Sequence, residues 1–318
     1  YAESLLEMVG DSVFTENAGH LADLGALDRA TARQLAAQMC QAEALPVLNS
    51  YADMLESLAP EHAGPVLLEI YADLPTQLQD ALLPRIARLA PPGWEAAVWQ
   101  TASQGDPHLY GTTVRLLLAA RYPAVTAQAK DWLDSGGPRL RAAAAVGCLH
   151  GIDTGLSALG REVLLAMLAS HRPDDYLSAL GALAAMPHPA TVAQVRPMLV
   201  YEDSRARALA LEIWSHHPPN TAEEAIEVVD SSLFDPSPIV RAAAIGAAAR
   251  LDFPALPLLD WLSRALQDPD CRVRLAAQAG VKRFLPETAA AWAEALSRRR
   301  NDFELLAVML PQLAATDL

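Results

Sequence analysis

Leu233-Phe234-Asp235-Pro236-Ser237-Pro238-Ile239-Val240-Arg241-Ala242-Ala243-Ala244 returns 33 residues later as Leu266-Gln267-Asp268-Pro269-Asp270-Cys271-Arg272-Val273-Arg274-Leu275-Ala276-Ala277. Leu, Asp, Pro, Val, Arg and Ala keep their places. Self-similarity at a period of this size marks a stacked array of helical units, each too small to bury its apolar face alone. The grammar of one copy is physical. An apolar helix ends in Leu, and Asp-Pro turns the chain, because proline fixes φ and has no N–H to continue the helix. Ser237-Pro238 reads as an N-cap followed by a proline in the first turn. A second helix then opens with Val-Arg and runs through small residues, which leaves room for a neighbouring helix to come close.

Asp235 and Arg241, like Asp268 and Arg274, stand six residues apart across the turn. They are expected to form a structural ladder, in which each Asp caps the second helix or pairs with an Arg of a neighbouring repeat. Charges that are partly buried need such internal partners.

The Leu-x-Asp-Pro…Val-Arg-x-x-Ala pattern resembles HEAT repeats in their short bacterial form. The resemblance implies an all-α fold: a right-handed α-solenoid of about nine stacked helix pairs. First helices are expected to start near Thr31, His62, Trp94, Ala124, Leu159, Ala190, Ala222, Ala255 and Thr288, at spacings of 30–35 residues. Residues 1–30 read as a lead-in helix and an acidic loop. Residues 31–121 read as degenerate repeats, and residues 122–318 as HEAT-like repeats continuous with them. Asp106-Pro107 and Leu140-Arg141-Ala142-Ala143 recover parts of the signature, whereas the helix beginning near Tyr176 loses the Arg. Thr221-x-x-Glu224 reads as a capping box, and Asn301-Asp302-Phe303-Glu304 opens a last helix.

Composition agrees with a helical array. The chain is 52% hydrophobic with 6% aromatic residues, and no alternating run of β-branched residues marks a strand. The net charge of −14 is polarised. Residues 1–80 hold 13 acids against Arg29 and Arg33, whereas residues 271–300 hold seven basic residues against Glu287 and Glu294. Nucleic acid is not expected as a partner, since it needs an extended basic stripe. The acidic and basic ends could instead join head to tail between copies.

Cys40, Cys148 and Cys271 lack any CxxC spacing, which excludes a disulfide framework or zinc site of ordinary form and favours a reducing, cytoplasmic setting. No stretch reads as a membrane span or signal peptide, and a start at Tyr1 is what a piece of a longer protein would show.

Nothing nominates an enzyme. His216-His217 precedes Pro218-Pro219 at a helix end and reads as favourable charge at a helix C-terminus. No Gly-x-Ser-x-Gly elbow or phosphate loop is present, so no catalytic residue, cofactor or metal is expected. Arg298-Arg299-Arg300 is the sharpest surface feature and a possible docking point for an acidic partner. Trp94, Trp99, Trp132, Trp214, Trp261 and Trp292 are expected mainly in packing, with exposed ones as hot spots.

Tyr1-x-x-x-Leu5 and Leu27-Asp28-x-x-Thr31-x-x-x-Leu35 look similar to the start of HEAT segments in bacterial membrane proteins whose transporter-like domain resembles nucleotide translocases. Many of those also carry a cyclic-nucleotide-binding domain. The resemblance implies a non-catalytic scaffold or regulatory module that binds a protein or adjacent domains of a longer chain. The competing expectation is an enzyme or lyase-like chaperone with a polar pocket on the concave face.

Overall fold

The structure, a computed structural model, describes residues 28–40, 45–104, 107–151, 154–217, 221–251 and 255–281. The described residues are all-α, with no strand among them. The chain divides into two compact units, Tyr1–Gly160 and Arg161–Leu318. The lead-in helix expected before residue 28, the repeat expected from Thr288 and the last helix expected from Asn301 lie outside the described residues.

In the first unit the helices come in pairs: α1 (Arg29–Met39) with α2 (Leu45–Leu58), α3 (Pro60–Tyr71) with α4 (Thr76–Leu89), and α5 (Trp94–Gln104) with α6 (Pro107–Ala119). Two short helices, α7 (Pro123–Thr126) and α8 (Ala129–Ser135), stand where one first helix was expected near Ala124, and α8 packs on α9 (Pro138–His150). The second helices also pack in succession, α2 on α4, α4 on α6 and α6 on α9. Asp28 caps α1 through Thr31 N at 2.8 Å. Pro60, Pro123 and Pro138 sit in the first turn of their helices, where the missing N–H has no intrahelical partner to lose. Pro65 and Pro84, by contrast, lie inside α3 and α4.

Small residues let α9 come close to its neighbour. Ala142 to Leu149 are all buried. A Cβ on Gly147 would lie 2.6 Å from the Arg115 carbonyl oxygen and 2.8 Å from the Leu118 Cβ, so α9 touches the backbone of α6.

The unit boundary falls within α10 (Thr154–Leu168), which begins five residues before the expected Leu159. In the second unit α11 (Pro173–Ala185), α13 (Ser204–Ser215) and α15 (Pro238–Ala248) pack in succession. Short 3₁₀ turns at Pro189–Thr191 and Arg196–Val200 flank α12 (Val192–Val195) where a full first helix was expected near Ala190. α14 (Ala222–Leu233) packs on α15 and on α16 (Ala255–Leu266), and residues 271–281 form a further helix, α17. One buried cluster, with Trp214, Val229, Ile245, Trp261 and Val281 among its members, joins these elements. Half of the expected capping box is present: Thr221 Oγ1 accepts from Glu224 N at 3.4 Å. The Glu224 carboxylate instead takes Arg196 as its partner, because a guanidinium binds it more strongly than a backbone N–H does.

Two glycine substitutions separate close packing from helix propensity. Gly147→Ala should lower stability by about 1–3 kcal/mol through overpacking against α6. Gly181→Ala, inside α11 with nothing within 4 Å of the added Cβ, should raise it by up to about 1 kcal/mol. Urea denaturation of the two variants checks both signs.

Candidate functional site

The ladder residues come together in a fixed pattern. Arg207, Arg241 and Arg274 each stand at the fourth position of a helix, after the capping residues Asp203, Ser237 and Asp270. Each arginine reaches back to its own turn. Arg207 Nη1 donates to the carbonyls of Tyr201 and Glu202 at 2.7 and 2.9 Å. Arg241 Nη1 donates to Asp235 and Pro236 at 2.9 and 3.1 Å, and Arg274 Nη1 to Asp268 and Pro269 at 2.7 and 2.9 Å. The remaining guanidinium edge reaches forward. Arg207 chelates both carboxylate oxygens of Asp235 at 2.8 and 2.8 Å, and Arg241 chelates Asp268 at 2.7 and 2.9 Å. The ion pairs therefore join successive turns, while within one turn the arginine binds backbone carbonyls. Nor do these aspartates cap the second helix: Asp235 Oδ1 accepts from Ser237 N, and Asp268 Oδ1 from Asp270 N, each two residues on.

The pairs are mostly sheltered from water, with side-chain exposures of 15 and 12% for Arg207 and Asp235 and 16 and 11% for Arg241 and Asp268. Burial pushes the Asp235 carboxyl up, but the Arg207 hydrogen bonds and the Ser237 amide outweigh it and hold the group below its usual range. The Arg241 hydrogen bonds do the same for Asp268. Where the arginine is lost, Tyr176 occupies the same fourth position of α11. Its hydroxyl donates to Asp203 at 3.2 Å, and its ring meets Tyr201 edge-on at 5.2 Å between centroids. An aromatic contact thus replaces the ion pair.

Beside the ladder, Val200 and Phe234 occupy matching positions, each one residue before the turn position of Tyr201 and Asp235. They are 86 and 66% exposed, and the Arg264 guanidinium lies 4.3 Å from the Phe234 ring centroid. Large apolar side chains held in water at repeated positions are the feature of this face that packing does not use.

In the first unit, Trp99, Tyr110 and Trp132 form a half-buried aromatic cluster with centroids 5.6–6.3 Å apart. Trp94, Trp214 and Trp261 are buried in the core, and Trp292 lies outside the described residues, as do Arg298, Arg299 and Arg300. Arg115 is buried on α6 with its Nε unpartnered among the described residues, and burial depresses its guanidinium. At the end of α13, where charge was expected, burial, then the neighbouring Arg250, push the His216 imidazole below its usual value. Among the described residues no three His, Cys, Asp or Glu side chains converge as metal ligands, and no helix is long and apolar enough to cross a membrane.

A pocket of about 420 Å³ lies at the C-terminal end of α6, lined by Leu118, Arg121, Pro123, Thr126, Ala127, Cys148, Gly151 and Leu156. Sequence reading missed it, because it depends on how α6 stops. No family model matches the chain, and no curated protein matches it.

The ladder carries a pH signature. The Asp268 carboxyl is lower in the folded chain than the usual aspartate value of about 3.9. Its contribution is therefore complete above that value and is lost as pH falls through the folded one. Asp268→Asn should cost roughly 1–3 kcal/mol at pH 7, and the difference from the parent chain should shrink steadily below about pH 4. Denaturation at a series of pH values reads this directly.

Proposed function

We propose that the chain is a non-catalytic helical-repeat scaffold, a right-handed solenoid of HEAT-like pairs, that binds a protein segment or an adjacent domain. The observation that carries the reading is the pair Val200 and Phe234. They stand exposed at matching positions beside ladder charges that are already paired, and Arg264 stacks on Phe234 from outside the ladder. Exposed aromatic and aliphatic side chains beside satisfied charges are what a docking face needs, since burying them on a partner gains apolar area without stranding an ion.

The sequence supports continuation of the array. Asp302, outside the described residues, follows Arg274 by 28 positions, the separation of Arg207 from Asp235. The resemblance of residues 1–35 supports reading such a scaffold as a cytoplasmic regulatory module of a larger bacterial transporter-like protein, with Arg298, Arg299 and Arg300 as a second docking point. The enzyme reading needs a polar pocket with convergent acids or histidines, and the pocket at the end of α6 is apolar apart from Arg121 and Thr126.

Affinity capture with the intact chain, with the Val200→Ser/Phe234→Ser variant, and with Arg298, Arg299 and Arg300 changed to Glu tests the proposal. The scaffold reading expects a discrete protein held by the intact chain and weakened at least tenfold by the serine pair, with helical circular dichroism unchanged. Equal capture by the intact chain and the serine pair would contradict the assigned face.

A further inference from the structure

Helix α6 ends in a way that is unusual for its sequence. Tyr122 N donates to the Leu117 carbonyl at 2.9 Å and Arg121 N to the Leu118 carbonyl at 3.0 Å. This paired arrangement requires a left-handed residue just past the helix, a place where glycine is the common choice because it has no Cβ to clash. Here the residue is Arg121, at φ +60°. The backbone strain brings no internal return: no hydrogen bond or ion pair engages the guanidinium among the described residues. What the strain does achieve is placement, because Arg121 lines the pocket beside Leu118, Pro123, Ala127 and Leu156.

The other polar group on that wall is already used. Thr126 Oγ1 donates to the Tyr122 carbonyl at 3.0 Å. Among the described residues the pocket thus offers apolar walls and, at its edge, an exposed cation without a partner. Its volume lies in the range of small-molecule sites, which are mostly apolar with a few polar groups that fix orientation.

We infer that this pocket binds a small amphipathic carboxylate, with its aliphatic tail against Leu118, Pro123, Ala127 and Leu156 and its carboxylate on the Arg121 guanidinium. Charge complementarity selects the head group, since a guanidinium fork matches a carboxylate in two hydrogen bonds. The apolar walls select the tail. This site is independent of the exposed pair Val200 and Phe234, so it stands or falls separately from the scaffold reading.

Titration calorimetry of the full chain with octanoate, and with octanol as its uncharged twin, is the test. Octanoate should bind, and hexanoate should bind more weakly by roughly fourfold per methylene removed. Arg121→Gly removes the cation while relieving the backbone, so it should melt no lower than the parent chain yet weaken octanoate about ten- to a hundredfold. It should leave octanol unchanged. Ala127→Phe, at an exposed position on the pocket wall, should weaken both ligands by filling the space. Absence of octanoate binding at millimolar concentration, or equal octanoate affinity in the parent and Arg121→Gly chains, would overturn the assignment.

Discussion

An arginine at the fourth position of a helix, held by two carbonyls behind it and one carboxylate ahead, is the constraint on which the second unit depends. Arg207 and Arg241 each make all of these bonds. The backward bonds satisfy carbonyls in the turn just before the helix, where no following helical N–H is placed to do so. The forward pair fixes the distance to the next turn. Because both charges are largely withdrawn from water, losing either partner strands the other, which costs far more than the pair contributes on balance. The ladder is therefore a device for register: apolar helices can slide on one another at little cost, but a two-point chelate cannot.

The first unit solves the same problem with packing. Gly147 lets α9 touch the α6 backbone, and Tyr110 occupies the fourth position of α6 with Trp99 and Trp132 against it. Tyr176 shows the same substitution in the second unit, where a ring pair with Tyr201 stands in for guanidinium and carboxylate. The fourth position of the helix thus carries an ionic contact at Arg207 and Arg241 and an aromatic one at Tyr110 and Tyr176.

Much of this was legible in the residues. The 33-residue echo, the prolines in first turns and the capping residues follow from local rules, and they placed most helix starts within a few residues. Asp235, Arg241, Asp268 and Arg274 were readable as a ladder, but which Asp met which Arg was not, since six residues across one turn and 27 across two turns compete and only packing decides. The first helices expected near Ala124 and Ala190 are short pieces in the structure, and only the second has a proline, Pro197, past its first turn. The state of His216 depended on burial and on Arg250, 34 residues away in sequence. The pocket at the end of α6 left one faint signal, an arginine where a helix stop favours glycine, and that signal has meaning only once the backbone angle is known.

The forward chelate couples one turn to the next. A double-mutant cycle on Arg241→Ala and Asp268→Ala, measured by urea denaturation at pH 7, tests it most directly. Each single change should cost about 2–4 kcal/mol and the two together little more than either alone, a coupling energy of at least about 1 kcal/mol. Additive costs would contradict it, because the two side chains would then be stabilising the chain independently of each other.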